Sequence, residues 1–463
     1  MSPSSSSAPL PLQIALKVFT SQQKKKQALE MESAGAPTRR LQAVASQTAS
    51  LKEGENFLVV LPDGGKVTAS LGQGQEEPND IFLNGSLVLS YTISATQYAL
   101  DISSVGTRYQ GATSHIPKYS LLTVTAPKQA ANPRSKDVSI PDFWVAIYAL
   151  FMLYRDQEHI PIVFFFPNED EIKNYLLTTG LVRTYPTSEL RLKKAPVPPD
   201  VYFLSRAAFW QGAGTTGFHR RSWLLNPQPA FPSLTTYTRT EKVIAMHPLR
   251  PTKPEPGEVL YRRWCGVVGQ MLEIAYFDLE GVHDGSAALG GGLSRHMAAF
   301  HRWHNDERVN TAWGERGSLE THREYVEGLL ADPHAWPCML SWDGELMGYV
   351  EIVYTKEDHT AQHYPVDVVP GDWERGIHVL VGESKFLGGG RSEIWIRSLV
   401  HYIFLADPRT DRVLGEPDHE NTAIIKVALN SGFHIQTIID FPYKRSVMVL
   451  NPREKFFKLC RLW

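Results

Sequence analysis

Asp372-Trp373-Glu374-Arg375-Gly376-Ile377-His378-Val379-Leu380-Val381-Gly382 opens the stretch whose reading decides the fold. From Ile377 to Val381 an apolar, β-branched run surrounds one histidine. Strand alternation therefore puts His378, Leu380 and Gly382 on one face and Ile377, Val379 and Val381 on the other. Three glycines follow (Gly388, Gly389, Gly390), and then an amphipathic pattern that predicts a helix over 391–405, with a polar stripe of Glu393, Arg397 and His401. A short strand at 412–414, the acidic turn Glu416-Pro417-Asp418-His419-Glu420-Asn421 and a helix closing at Gly432-Phe433 complete the unit. The pattern is strand, glycine turn, helix, strand, acidic turn, helix.

Working outward, 337–342 and 345–354 flank Asp343-Gly344 and predict an antiparallel hairpin. Before it, 269–278 is a strand candidate, 294–304 a helix, and 319–330 a helix that Ser318 can cap. Two strands at 435–439 and 446–450 end the chain's second half. Four prolines between 248 and 256 mark a linker. Upstream of it, 56–61 and 66–71 form a hairpin around Pro62-Asp63-Gly64-Gly65, and 81–93 holds two more strands around Asn84-Gly85. Helices at 141–154 and 168–179 and strands at 160–166, 181–185 and 200–204 follow. The fold class is mixed α+β. The expected organisation is a low-complexity segment 1–51, an α+β domain 52–245, a proline-rich linker 246–257 and a second domain 258–463.

The totals exclude several classes. A chain of 463 residues exceeds one ordinary core. A net charge of −2 argues against a general nucleic-acid binder. Cys265, Cys338 and Cys460 stand far apart with no CxxC pair, which excludes a disulfide scaffold and suits a reducing compartment. The apolar run 143–154 is too short to span a bilayer and reads as a buried helix, so no membrane partner is expected. Gly212-Ala213-Gly214-Thr215-Thr216-Gly217 spells G-x-G-x-x-G. Prolines 227, 229 and 232 leave no room for the long helix a dinucleotide site needs, so it reads as a loop. His301 and His304 lack a third ligand at a telling spacing, so no metal is expected.

The first fifty residues are serine-rich and basic, with Lys24–Lys26, and carry no secretory pattern. Arg40-Leu41 with Gln47 loosely matches an amino-terminal peroxisomal signal, spoiled by Thr48. Cys460-Arg461-Leu462 matches the carboxy-terminal tripeptide but is followed by Trp463. Together they favour the peroxisome over the cytosol and do not favour secretion.

The element order, with a glycine loop between strand and helix, resembles the GNAT acyltransferase fold. Within it the wording resembles the siderophore N-acyltransferases that act on N-hydroxylated ornithine or lysine, especially the fungal hydroxyornithine transacylases. The matching pieces are Phe300-His301-Arg302-Trp303-His304-Asn305-Asp306 with Val309 and Trp313; Gly348-Tyr349-Val350-Glu351; 376–382; Asp407-Pro408-Arg409; Glu416-Pro417; and Gly432-Phe433 with Pro442 and Lys444. They cover about 265–460. In that subgroup the upstream half is a degenerate second GNAT-like domain, although no motif in 52–245 carries this.

The resemblance implies an acyl-CoA-dependent transferase acting on N5-hydroxyornithine, with acyl-CoA as co-substrate rather than cofactor. An anhydromevalonyl donor is favoured over acetyl. A homodimer is compatible with it, and the sequence does not set the oligomeric state. Lys385-Phe386-Leu387-Gly388-Gly389-Gly390 fits the fold's pyrophosphate loop, with Lys385 in place of the usual first residue; glycine amides and the following helix's positive end would face the phosphates. Val379, Leu380 and Val381 would hold the pantetheine, with Asn421 also on the acyl-CoA side. His378 on its strand reads by itself as a half-buried structural histidine; the resemblance makes it the general base, with Asp418 as acidic partner and His419 and Glu420 as competitors. Trp303, Asn305 and Trp313 would wall the acceptor pocket, or simply pack and cap helices. Glu351 and Lys444 would recognise acceptor charge, or lie on the surface. Where many GNAT enzymes carry a general-acid tyrosine, this chain has Ala428. Direct attack on the thioester is expected, because neither Cys265 nor Cys338 has a local histidine and no G-x-S-x-G elbow occurs. The alternatives are acetyl transfer to hydroxyornithine or hydroxylysine, and a non-catalytic GNAT-like scaffold.

Overall fold

The computed structural model describes residues 56–72, 77–99, 118–127, 137–184, 200–227, 232–283 and 293–462. The segment 1–51 with the amino-terminal targeting pattern's Arg40 and Gln47, the glycines 290–292 and Trp463 lie outside the described residues. Two compact units divide between Ser222 and Trp223.

The first unit is an eight-stranded sheet of β1 (Asn56–Val60), β2 (Lys66–Ser70), β3 (Asn79–Leu83), β4 (Ser86–Ala99), β5 (Lys118–Thr125), β6 (His159–Phe165), β7 (Val182–Arg183) and β8 (Tyr202–Ser205), in the order 1-2-3-4-5-6-8-7. Its turns follow the expected chemistry: Gly64 at φ 89°, Asn84 at 50° and Gly85 at 77° occupy left-handed positions that the tight hairpins require. Helix α1 (Ile140–Leu153) is capped by Ser139 and buries Phe143 through Met152 continuously, as its all-apolar sequence demands. Helix α2 is Glu169–Thr178, and α3 is the short Arg206–Trp210. The glycine run after α3 is a close-packed turn, with the Tyr175 hydroxyl donating to the Gly214 carbonyl at 2.8 Å.

The second unit begins with a ribbon, β9 (Thr235–Arg239) and β10 (Ile244–Pro248). Its main sheet runs β11 (Val259–Cys265), β12 (Gln270–Tyr276), β13 (Ala335–Trp342), β14 (Glu345–Tyr354), β15 (Arg375–Val381), β16 (Arg412–Gly415), β17 (His434–Asp440) and β18 (Arg445–Pro452), in the order 11-12-13-14-15-16-18-17. The helices are α4 (Arg295–His304), α5 (Glu307–Trp313), α6 (Leu319–Ala331), α7 (Arg391–Ala406), α8 (Thr422–Asn430) and α9 (Arg453–Leu459). Strand for strand, this repeats the first unit's order, including one parallel pair, β5 with β6 and β15 with β16. The first unit differs between its second and third strands, where residues 71–78 replace the stretch holding α4–α6.

Two placements differ from the sequence reading. The border expected at 245–246 falls at 222–223 by compactness, and the proline-rich stretch is packed into the second unit. Arg250 makes a bidentate pair with Glu357 at 2.5 and 2.6 Å, and Lys253 donates to the Leu329 and Leu330 carbonyls. Prolines suit such a stretch because they forgo backbone donors. The polar stripe expected on α7 is not a solvent face: His401 is fully buried and accepts or donates at 2.8 Å with the Tyr261 hydroxyl, while Arg397 donates to the Asn430 carbonyl.

One face of the second sheet is covered by α4–α6, with Phe300, Trp303, Val326, Met339, Tyr349 and Leu380 in one core. Among the described residues no helix is long and apolar enough to cross a membrane.

Candidate active site

β14 and β15 pair antiparallel with Glu351 directly opposite His378, so alternation sends both side chains to the α4–α6 face. The Glu351 carboxylate is held there by three donors: Tyr325 at 2.7 Å, Tyr349 at 3.1 Å and His378 Nδ1 at 3.0 Å. The other imidazole nitrogen, Nε2, lies 3.0 Å from Glu416 Oε1. Glu416 arrives because β16 pairs with β15 only at Arg375↔Val413 and Gly376↔Leu414, after which the two strands part. Its backbone is pinned, with Lys444 Nζ donating to the Glu416 carbonyl at 3.1 Å and the Val447 amide to the Pro417 carbonyl at 2.9 Å.

The result is one imidazole between two carboxylates. The carboxylates are 4–5% exposed and the imidazole 29%, so water screens the pair weakly although the ring edge is reachable. Burial alone would push the imidazolium's pKa down. The hydrogen bonds and charges of Glu351 and Glu416 outweigh it and hold His378 well above the ordinary histidine value. Burial likewise pushes the Glu351 carboxyl up, and His378, Tyr325 and Tyr349 carry it below its ordinary value. The two glutamates therefore favour the imidazolium form over the neutral imidazole that the sequence reading expects. The remaining oxygen, Glu416 Oε2, is buried and has no hydrogen-bond partner among the described residues. A buried carboxylate oxygen without a partner has a lone pair free to accept a hydrogen bond or a proton.

The acidic partner is thus Glu416 rather than Asp418. Asp418 is 44% exposed and spends its carboxylate on the Glu420 amide at 2.8 Å and on His419, with no bond to His378. His419 binds the Arg445 carbonyl. Sequence spacing could not separate these acids, because a two-residue difference in a turn decides which one points back at the strand.

On the acyl-CoA side, Gly388, Gly389 and Gly390 have φ of 77°, 58° and 73°, and α7 starts at Arg391 with no side-chain cap on its first turn. Only glycine adopts three successive left-handed φ values cheaply, and the loop leads directly into the positive end of α7. Lys385 is exposed and pairs with Glu345. Where β16 departs, β15 from Ile377 onward has no strand partner on that side among the described residues, which leaves the Val379–Leu380 edge unpaired by them; the Val381 carbonyl is already taken by Arg308. Asn421 does not face this edge with a free side chain: its Oδ1 caps α8 through the Ile424 amide at 3.3 Å.

The acceptor-side set divides. Trp303 is 1% exposed, donates to Glu383 at 2.9 Å and packs flat on Gly382, so it is core. Asn305 ends α4, bonding the His301 and Gly317 carbonyls at 3.0 Å, and is also structural. Trp313 is half-buried beside His304 and Tyr349, next to the Glu351 cluster. Glu351 is no surface ion, and Lys444 positions Glu416. Tyr325, which no motif singled out, and Glu416, quoted in a motif but given no role, are the residues sequence reasoning missed. Ala428 is buried in α8 and offers no acid.

The fold and this site define a GNAT-type acyl-CoA-dependent N-acyltransferase. A family model described as an acetyltransferase (GNAT) domain matches residues 292–441. Three relatives extend the likeness over most of the chain. The acyltransferase ato1 of Omphalotus olearius is 36% identical over 73% of this chain and 82% of its own length. The hydroxyornithine transacylase SID3 of Ajellomyces capsulatus is 30% identical over 85% and 87%. The N(5)-hydroxyornithine:cis-anhydromevalonyl coenzyme A-N(5)-transacylase SIDF of Beauveria bassiana is 33% identical over 69% and 73%. The chain belongs to the siderophore-biosynthesis N-acyltransferase family.

Proposed function

We propose that the protein transfers an acyl group, anhydromevalonyl in preference to acetyl, from coenzyme A to the hydroxylamine nitrogen of N5-hydroxyornithine. The names of the relatives support the acceptor and the donor. The observation that carries the chemistry is the unpartnered Glu416 Oε2 beside His378.

A hydroxylamine nitrogen is weakly basic and largely neutral at neutral pH, so its lone pair is available without prior deprotonation. It attacks the thioester carbonyl carbon, and the nitrogen's proton passes to Glu416 Oε2. Collapse of the tetrahedral adduct breaks the C–S bond, and the departing sulfur takes that proton from Glu416 to leave as the thiol, which returns Glu416 to its carboxylate. His378, positively charged and fixed by Glu351, orients Glu416 and offsets its charge until the proton arrives. Tyr325 and Tyr349 hold Glu351 in turn.

Thiol release is the test. Purified protein given N5-hydroxyornithine with cis-anhydromevalonyl-CoA or acetyl-CoA is expected to release thiol with the first more efficiently. Higher kcat/KM with acetyl-CoA would overturn the donor assignment, and no release with either would sink the reading altogether.

A further inference from the structure

On the face of the second sheet opposite His378, a recess of about 50 Å³, open to solvent on one side, lies between the sheet and α7. Arg375 enters it from β15, and Trp336, Ile352 and Tyr354 enter from β13 and β14. Alternation requires this side: Arg375 is three residues from His378, and Ile352 and Tyr354 are odd steps from Glu351.

Arg375 is 6% exposed. Its guanidinium stacks 3.8 Å from the Tyr354 ring centroid and 5.0 Å from that of Trp336. No hydrogen bond or ion pair to its guanidinium occurs among the described residues, and Nε is completely buried. The contrast is on the same tyrosine. Arg250 also lies 3.8 Å from Tyr354, yet it is neutralised by both oxygens of Glu357. A second donor in the recess, Trp336 Nε1, is likewise buried without an acceptor. Ring faces supply a guanidinium with part of its stabilisation, but they leave the buried Nε–H unmet.

We propose that this recess is a binding site for a small organic monocarboxylate. Its carboxylate accepts from the Arg375 guanidinium, and its apolar body lies against Ile352, Tyr402 and Ile403. One unit of negative charge is specified because Glu258 and Asp407 also line the recess. Asp407 is committed to Arg409, at 2.9 and 2.8 Å, and does not neutralise Arg375. A dianion such as phosphate would meet two carboxylates and gain only one cation. The site is independent of acyl transfer, being on the other face of the sheet.

The probe is 4-fluorobenzoate, titrated into the full-length chain and followed by fluorine NMR, with saturating coenzyme A present and absent. Saturable binding is expected in both conditions, at least tenfold weaker in Arg375→Leu and in Ala406→Trp, which fills the recess from α7. Neither inorganic phosphate nor uncharged 4-fluorobenzamide should compete. Melting curves identify which variants are folded, and should Arg375→Leu fail to fold, Ala406→Trp decides. Absence of saturable binding, displacement by coenzyme A, undiminished binding in a folded variant, or competition by phosphate or the amide would each overturn the proposal.

Discussion

His378 is held through both ring nitrogens, and in the proposed mechanism Glu416 rather than the imidazole takes the proton. Glu416→Gln keeps the shape and removes the basic oxygen. It is expected to lower kcat by about 10²–10³-fold with KM for acyl-CoA changed less than twofold. Steady-state kinetics on the folded variant checks this, and an unchanged kcat would return the base role to His378. The pH profile separates the two roles independently. Because the carboxylates hold His378 well above the ordinary histidine value, its charged form persists through neutrality. The rate is therefore expected to be flat across pH 6–8 and to fall on the alkaline side as His378 loses its proton. A neutral-imidazole base of ordinary pKa would instead produce an acid limb near 6.5. Tyr325→Phe removes one of the donors on Glu351, and a loss of roughly 3- to 10-fold in kcat is expected from the loosened orientation of His378.

At the scale of elements, the splay of β15 from β16 and the glycine start of α7 shape the acyl-CoA side together. Each supplies backbone groups that no neighbouring strand or cap consumes. Gly389→Val forces a β-branched residue into φ 58°, at a cost of about 1–2 kcal/mol, and narrows the loop. KM for acyl-CoA should rise about tenfold while the melting temperature falls by a few degrees. Gly382 plays a different part. A Cβ there would come within 1.9 Å of the Trp303 ring, so Gly382→Ala is expected to destabilise the fold by about 1–3 kcal/mol. Denaturant unfolding measures it, and a loss below about 0.5 kcal/mol would mean that the strand end yields more readily than its packing implies.

For the whole molecule, two units repeat one strand order, and only the second carries helices between its second and third strands. Those helices cover the face on which Glu351 and His378 meet and supply Tyr325, so the second unit alone has the machinery described here. Its stability should depend on pH through His334. Burial opposes the charged form of this histidine, but bonds to Asp332 and Asp358 raise its pKa to about 9. A pKa raised on folding contributes stability in full below about 6.5, and that stability disappears as pH rises from there to about 9. Denaturation midpoints should fall over this window by an amount worth about 1–3 kcal/mol, and His334→Gln should flatten the decline. Glu351, with its pKa lowered, acts at the other end: its contribution is present above about 4.5 and is lost as pH falls further.

Local chemistry was enough to place much of this. The hairpin turns at Asn84-Gly85 and Asp343-Gly344, the apolar run of α1, the glycine triplet before α7 and the strand around His378 were all legible, because turn stereochemistry and side-chain period act over a few residues. β5, β9, β10, β11, α5 and α9 escaped, their patterns being short or masked by polar neighbours. The sequence by itself determined that a histidine stands on a buried strand ahead of a glycine loop, with several acids in the turn beyond. Only the tertiary structure decided which acid reaches it. Register across β14 and β15 set Glu351 against one nitrogen, and the early parting of β15 from β16 brought Glu416, not Asp418, to the other. Both are facts of long-range pairing, which no spacing along a single chain encodes.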